Sequence, residues 1–417
     1  MNRWFATLQQ ALNREGIPKD PQKSLLVPAQ YFAESLGGLR EALARWHRES
    51  VPAGGAVRVF VDGVAKRCSE GTAGNIDIEF RALMDGAGIP YRWADLSEAL
   101  GVSPADLHAS HDCLERIRGV VREGGESAAV VLGSGSITDL VKHALQMENV
   151  QVPFVSIPTA LTVTAFTSAF AVIDFHGAKR TLQSRPVSAA FWVKPFLECA
   201  PARMSRAGYG DLLARFVAYG DWLLGWRLGV MDRYDESAFR LMEPFADGIR
   251  SSAAGFRSGA LPPEATACTA AALAMAGISM STAGETTPLS GFEHVISHAL
   301  DFLRLTSGRE LVLHGEQVAL GSLVSARTID RLLAMEDLRG ADVVFPALHG
   351  PMGEDGTVQG FLKLIGVPCV GASVVGSAVG MDKSVFKDVM RARNLPVAPY
   401  LTVTRREWND SPEDVMR

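Results

Sequence analysis

The chain has 417 residues, 47% hydrophobic and 21% charged, which is enough for two or three domains each with its own core. A formal net charge of −5 without a basic block excludes the electrostatic footprint of a nucleic-acid binder, and the N-terminus lacks the apolar stretch of a secretory signal. Five scattered cysteines without CxxC spacing read as free thiols, and no uninterrupted apolar run reaches the ~18 residues of a membrane span, so the expectation is a cytoplasmic protein acting on small molecules.

Residues 1–55 carry a helix candidate, AQYFAESLGGLREALARWHRE (29–49), and a VPAGGA linker (51–56), and they are taken as an N-terminal extension without assignable chemistry. From 56 to about 160, apolar runs alternate with helical patterns. AVRVFVDG (56–63), IPYRWADL (89–96), AAVVLG (128–133) and PFVSIPTA (153–160) read as strands, with helices through 78–88, 114–125 and 137–145 between them. That alternation predicts a mostly parallel sheet covered by helices, with ligands at the carboxyl ends of its strands. From 200 to about 335 the strand signals vanish. Long amphipathic stretches (210–229, 265–281, 292–305 and 314–333) predict a helical bundle. Beyond 339 the pattern turns βα-like again. The expected layout is thus an extension (1–55), an α/β domain (56–199), an all-α domain (200–338) and a separate C-terminal segment (339–417).

Two places in this layout carry chemistry. Between the third strand and its helix stands Gly133-Ser134-Gly135-Ser136-Ile137, followed by Asp139. Glycines there let the backbone turn tightly toward an anion, and the helix N-terminus with its free N–H groups favours a pyrophosphate. The pattern is not GxGxxG, and alone such a turn is most often structural. In the helical region His294 and His298 lie four apart, on one helix face, and His314 opens the next helical pattern. Upstream, Asp211 stands at what reads as a helix N-terminus. Two imidazoles and a carboxylate form a three-ligand set suited to zinc or iron(II), with room for substrate. Isolated helical histidines are commonly plain core or surface groups, but three of nine within twenty-one residues point to a site.

The runs GSGSITD (133–139), IPTALTVTAFTS (157–168), AGYGDLLARFVAYGDW (207–222), SGFEHVISHALD (290–301) and LHGEQVALG (313–321) resemble, in order and context, the superfamily of glycerol-1-phosphate dehydrogenase, iron-containing alcohol dehydrogenase and 3-dehydroquinate synthase. The resemblance covers about 57–335. It implies a Rossmann-like domain followed by a dehydroquinate synthase-like helical bundle. It also implies a divalent metal, zinc first with iron or nickel as alternatives, held by Asp211, His294 and His314. His298 would contact substrate and relay the proton, with Asp211 beside it in the catalytic set. NAD or NADP would lie against Gly133, Ser134, Gly135, Ser136, Ile137, Asp139, Thr159, Thr162 and Ser168. The implied activity is oxidation or reduction at a CH–OH group of a polyol phosphate or alcohol, in a chain that could form homo-oligomers. One departure stands out. Thr164 occupies the place where the family carries a substrate-binding aspartate, which shifts what fits the site unless its hydroxyl substitutes as acceptor.

Residues 341–400, with HGPMGEDGTVQG and MDK, resemble the ATP-grasp enzyme D-alanine–D-alanine ligase. The resemblance implies His349 near substrate and Lys383 near ATP. The ligase family's second ATP-binding lysine and magnesium ligands have no counterpart here, so phosphoryl transfer by this chain alone is not expected. Two partial enzymes meeting near Leu338 read as a chimeric reading frame or a fusion. The competing functional readings are a cyclising lyase similar to 3-dehydroquinate synthase and a ligase fragment.

Overall fold

Strands form where the sequence has short runs of β-branched and aromatic residues, and in the computed structural model six of them join one parallel sheet. They are β1 (Ala29–Ala33), β2 (Val57–Val61), β3 (Tyr91–Asp95), β4 (Ala128–Gly133), β5 (Phe154–Pro158) and, after a hairpin, β8 (Ala189–Val193), in the order β1-β8-β5-β4-β2-β3. The structure describes all residues except 1, 176, 228–230, 259–262, 308, 310–311, 334–340, 347–353, 404–407 and 409–417. The chain divides into two units, Met1–Ala326 and Arg327–Arg417. Every sheet pairing is parallel. β2, β4, β5 and β8 are buried along their whole length, as strands covered on both faces must be, which explains their continuous apolar sequences. The hairpin strands β6 (Phe170–Phe175) and β7 (Ala178–Gln183) pair antiparallel outside this sheet.

Helices α1 (Arg3–Arg14), α2 (Leu36–Ser50), α3 (Ile76–Gly86), α4 (His111–Arg122) and α5 (Gly135–Met147) precede the hairpin. After β8 come α6 (Ala202–Leu212), α7 (Ala218–Arg227), α8 (Glu236–Met242), α9 (Ala246–Ser258), α10 (Pro263–Ala283), α11 (Phe292–Thr306) and α12 (His314–Leu333). α10 is apolar on all sides because it forms the axis of the bundle. Its stretch from Ala270 to Ala276 is fully buried. By length and composition Glu264–Ala283 could cross a bilayer, and that window lies entirely inside the protein.

The structure corrects three expectations. Residues 1–55 are not an extension. Phe5, Leu8, Ala11 and Leu12 of α1 share one core with α10, and β1 is the sheet's edge strand, in register with β8 from Ala29–Ala189 to Ala33–Val193. Residues 29–33 read as the start of a helix from sequence because a five-residue apolar run carries no decisive period, and pairing with a strand 160 positions away makes them a strand. The predicted continuous helix over 210–229 is broken, since α6 ends at Leu212 and a 3-10 turn (Leu213–Phe216) intervenes before α7. Strands β6, β7 and β8 went unforeseen.

In the unit Arg327–Arg417, helices α13 (Thr357–Leu364), α14 (Val374–Met381) and α15 (Lys383–Ala392) accompany, among the described residues, a parallel bridge between Val344 and Cys369. Asp382 caps α15 by accepting from the backbone of Ser384 and Val385, and Lys383 donates to the Gly380 carbonyl at 2.8 Å. His349 lies outside the described residues.

Candidate metal and cofactor site

Strand order locates a candidate ligand site. The chain runs from β2 outward to β3, returns to β4 on the other side of β2, and continues to β5, so the direction of winding reverses between β2 and β4. A crevice opens at such a switch point, beyond the strands' carboxyl ends. Gly133-Ser134 follows β4 there, and Asp62, paired with Lys66, follows β2. A single aspartate after a strand carries no sequence signal, so Asp62 does not stand out from the sequence. Ser134 makes no side-chain cap on α5, which leaves the helix's first-turn N–H groups to another partner. The two glycines also serve packing. A Cβ on Gly133 would collide with Ile137, and one on Gly135 with Val163.

Val163 belongs to the loop after β5, and that loop links the glycine turn to the helical half. The Leu161 carbonyl lies where a Cβ on Gly208 of α6 would stand, and the Thr164 backbone N–H is near enough to Asp211, close to the end of α6, to favour its carboxylate. Thr159 anchors the loop's start by donating its N–H to the Gly133 carbonyl at 3.1 Å. Thr162 and Thr164 are half-buried along it. The loop therefore touches the glycine turn on one side and the Asp211 helix on the other.

Asp211, His294 and His314 come together, with one ligand atom of each within 4.8 Å of the others. Asp211 Oδ1 lies 3.7 Å from His294 Nε2 and 3.8 Å from His314 Nε2. Asp211 sits at the C-terminal end of α6, not at the expected N-terminus. A carboxylate there opposes the helix dipole. It is also buried, and its Oδ1 lacks a hydrogen-bond partner. Burial raises its pKa from 3.8 to about 6 despite the nearby His294, with Glu293 adding to the rise and the Thr164 N–H opposing it. A cation between the three side chains would satisfy this orphaned oxygen, so the donor set fits a divalent metal.

Both imidazoles are held from behind. His294 Nδ1 lies 2.9 Å from Glu293 Oε1, and His314 Nδ1 lies 3.1 Å from Ser297 Oγ, which leaves each Nε2 facing Asp211. Burial holds the His314 pKa well below its ordinary value, helped by His294, Lys179 and His298, so the ring is neutral and able to ligate. His298 lies one turn further along α11, with its ring centroid 6.3 Å from that of His314. Partial burial lowers its pKa too, with His294 and Lys179 adding and Asp301 opposing.

Two of the expected cofactor contacts face inward instead. Asp139 forms a buried ion pair with Lys142 at 2.8 Å and accepts from the Val172 N–H at 3.0 Å. Lys142, wholly buried, also donates to the carbonyls of Ala165 and Ser168. The Ser168 hydroxyl accepts from the Phe170 N–H at 3.1 Å. The Asp139 and Lys142 side chains hold the hairpin and the loop against α5, while the Ser168 hydroxyl braces the start of β6.

A family model described as iron-containing alcohol dehydrogenase matches residues 93–193, and one described as D-ala D-ala ligase N-terminus matches 300–372. Glycerol-1-phosphate dehydrogenase [NAD(P)+] of Pyrococcus furiosus is 32% identical over 213 residues, covering 51% of this chain and 59% of the relative. D-alanine–D-alanine ligase of Streptomyces griseus is 61% identical over 71 residues, covering 17% of this chain and 18% of the relative. The chain thus spans about three-fifths of the dehydrogenase and under a fifth of the ligase. Among solved structures, a probable glycerol dehydrogenase from Sinorhizobium meliloti superposes with a TM-score of 0.52 at 20% identity, covering 92% of this chain and 95% of that one. An iron-containing alcohol dehydrogenase from Thermotoga maritima gives 0.51 at 15%, covering 94% and 91%. The fold is that of these dehydrogenases, and a ligase-like segment follows at the C-terminus.

Proposed function

We propose that the unit Met1–Ala326 is a divalent-metal-dependent, NAD- or NADP-linked oxidoreductase acting on a CH–OH group of a small polyol, polyol phosphate or alcohol. The observation that carries this reading is the convergence of Asp211, His294 and His314 beside the loop that also packs on the glycine-rich turn. The names of the relatives in half of the chain, glycerol-1-phosphate dehydrogenases, support the same class.

A cation held by those three side chains, zinc first and iron or nickel otherwise, would supply Lewis-acid polarisation of a substrate oxygen, and a nicotinamide would supply the hydride chemistry. The chain's own residues do the rest. His298, neutral near pH 7 because its pKa is lowered, takes the proton leaving the substrate hydroxyl and passes it to solvent, to which it is exposed. The first turn of α5, from Ser134 to Ile137, binds the cofactor's pyrophosphate, and Thr159 and Thr162 line its path. Thr164, half-buried next to Asp211, presents a hydroxyl to the substrate where a carboxylate would bind polyols more firmly. The working protein is cytoplasmic and can assemble into homo-oligomers.

The test pairs metal analysis of the purified chain with a nicotinamide-reduction screen over glycerol, glycerol phosphate and simple alcohols. One equivalent of metal with net NADH or NADPH formation is expected. Phosphate release without net nicotinamide reduction would favour a cyclising lyase instead.

A further inference from the structure

A chain of buried polar groups runs from the outer hairpin to the back of His314. Lys179 Nζ, on β7, donates to Asp301 Oδ2 at 2.5 Å. Gln317 Nε2 donates to Asp301 Oδ1 at 2.7 Å, Ser297 Oγ lies 2.7 Å from Gln317 Oε1, and His314 Nδ1 lies 3.1 Å from Ser297 Oγ. Ser297, Asp301 and Gln317 are each 3% exposed or less. Such groups keep their partners because an unmade bond in the interior leaves a desolvated polar atom uncompensated.

Proton counting along this chain has one solution. Asp301, ion-paired with Lys179, is a carboxylate and only accepts, so Gln317 must turn its NH2 toward it. The Gln317 carbonyl oxygen then faces Ser297, whose single hydroxyl proton goes to it. Ser297 Oγ is left to accept from His314, so the His314 proton sits on Nδ1 and the Nε2 lone pair points at Asp211.

We infer that Lys179, Asp301, Gln317 and Ser297 are positioning residues that fix the His314 tautomer before any cation arrives, so that the hairpin presets the metal site. This rests on the metal-site reading above for its purpose, but the tautomer itself does not. The hairpin outside the sheet supplies the far end of the relay through Lys179.

The experiment reads the tautomer and the cation separately on the full chain. In the metal-free protein, long-range 1H–15N correlation of the histidine rings is expected to show His314 protonated at Nδ1. Ser297→Ala removes the acceptor. It should abolish that preference and weaken Co2+ binding, followed by competition with a chromophoric chelator, about 10- to 100-fold while the far-ultraviolet circular dichroism is unchanged. Lys179→Met, at the half-exposed end, should weaken binding only a few-fold. A wild-type His314 protonated at Nε2, or a folded Ser297→Ala protein that binds Co2+ as tightly as wild type, would overturn the inference. Should Ser297→Ala not fold, the wild-type tautomer decides by itself. Wild-type protein that binds no Co2+ while His314 carries its proton on Nδ1 would sink the metal reading and leave the relay standing.

Discussion

Asp211 is a carboxylate in the wrong place for stability. It is buried at a helix C-terminus with an unpartnered oxygen, and its pKa of about 6 exceeds the ordinary 3.8. A carboxyl raised on folding favours the native state while protonated. In the metal-free protein this contribution is complete below about pH 3.8 and is lost as pH rises through about 6. Cations compete with that proton, so Co2+ affinity measured by chelator competition should weaken as pH falls through about 6. His314→Ala should remove bound metal and turnover together, and full turnover in a metal-free variant would contradict the ligand assignment. Lys142→Met leaves the Asp139 carboxylate buried without its ion pair. Urea unfolding should register a loss of about 3–5 kcal/mol.

Among the elements, glycine close approaches bring Asp211, His294 and His314 together. Gly315 follows His314 on α12 and lies against the Ala207 carbonyl of α6, while a Cβ on Gly210 would collide with the Gly315 carbonyl. Gly321 lies in the same way against the Glu293 backbone of α11. Three helices thus cross at backbone contact, and the ion pair between Arg203 of α6 and Glu316 of α12, 2.8 Å, secures one crossing. Gly315→Ala would drive a methyl into backbone that cannot rotate aside. It should cost about 3 kcal/mol, at the upper end for an overpacked site, and lower metal occupancy with it. A thermal midpoint and metal content both equal to wild type would refute this account. The sequence marked these segments, since GYGD, FEHVISH and LHGE stand out as runs, but not why each glycine is there. The partner that makes a glycine necessary lies on another helix, out of reach of any local pattern.

Over the whole molecule, the candidate metal ligands, the relay behind His314 and the glycine turn all lie within Met1–Ala326. A chain ending at residue 340 should therefore keep the metal stoichiometry of the full-length protein, and loss of metal on that truncation would show that the ligase-like segment supports the site. What the sequence alone determined was the alternation of elements from 56 to 160, the helical character of the described residues between 200 and 333, and the residue types of the candidate metal set. Hydrophobic period and side-chain chemistry are local properties. What only the tertiary structure decided was that residues 3–33 belong to the core and the sheet, that Asp139 and Ser168 turn inward, and which nitrogen of His314 carries its proton. Each depends on a partner distant along the chain, and the cost of burying an unpaired polar group or an unmatched strand edge is set by that partner.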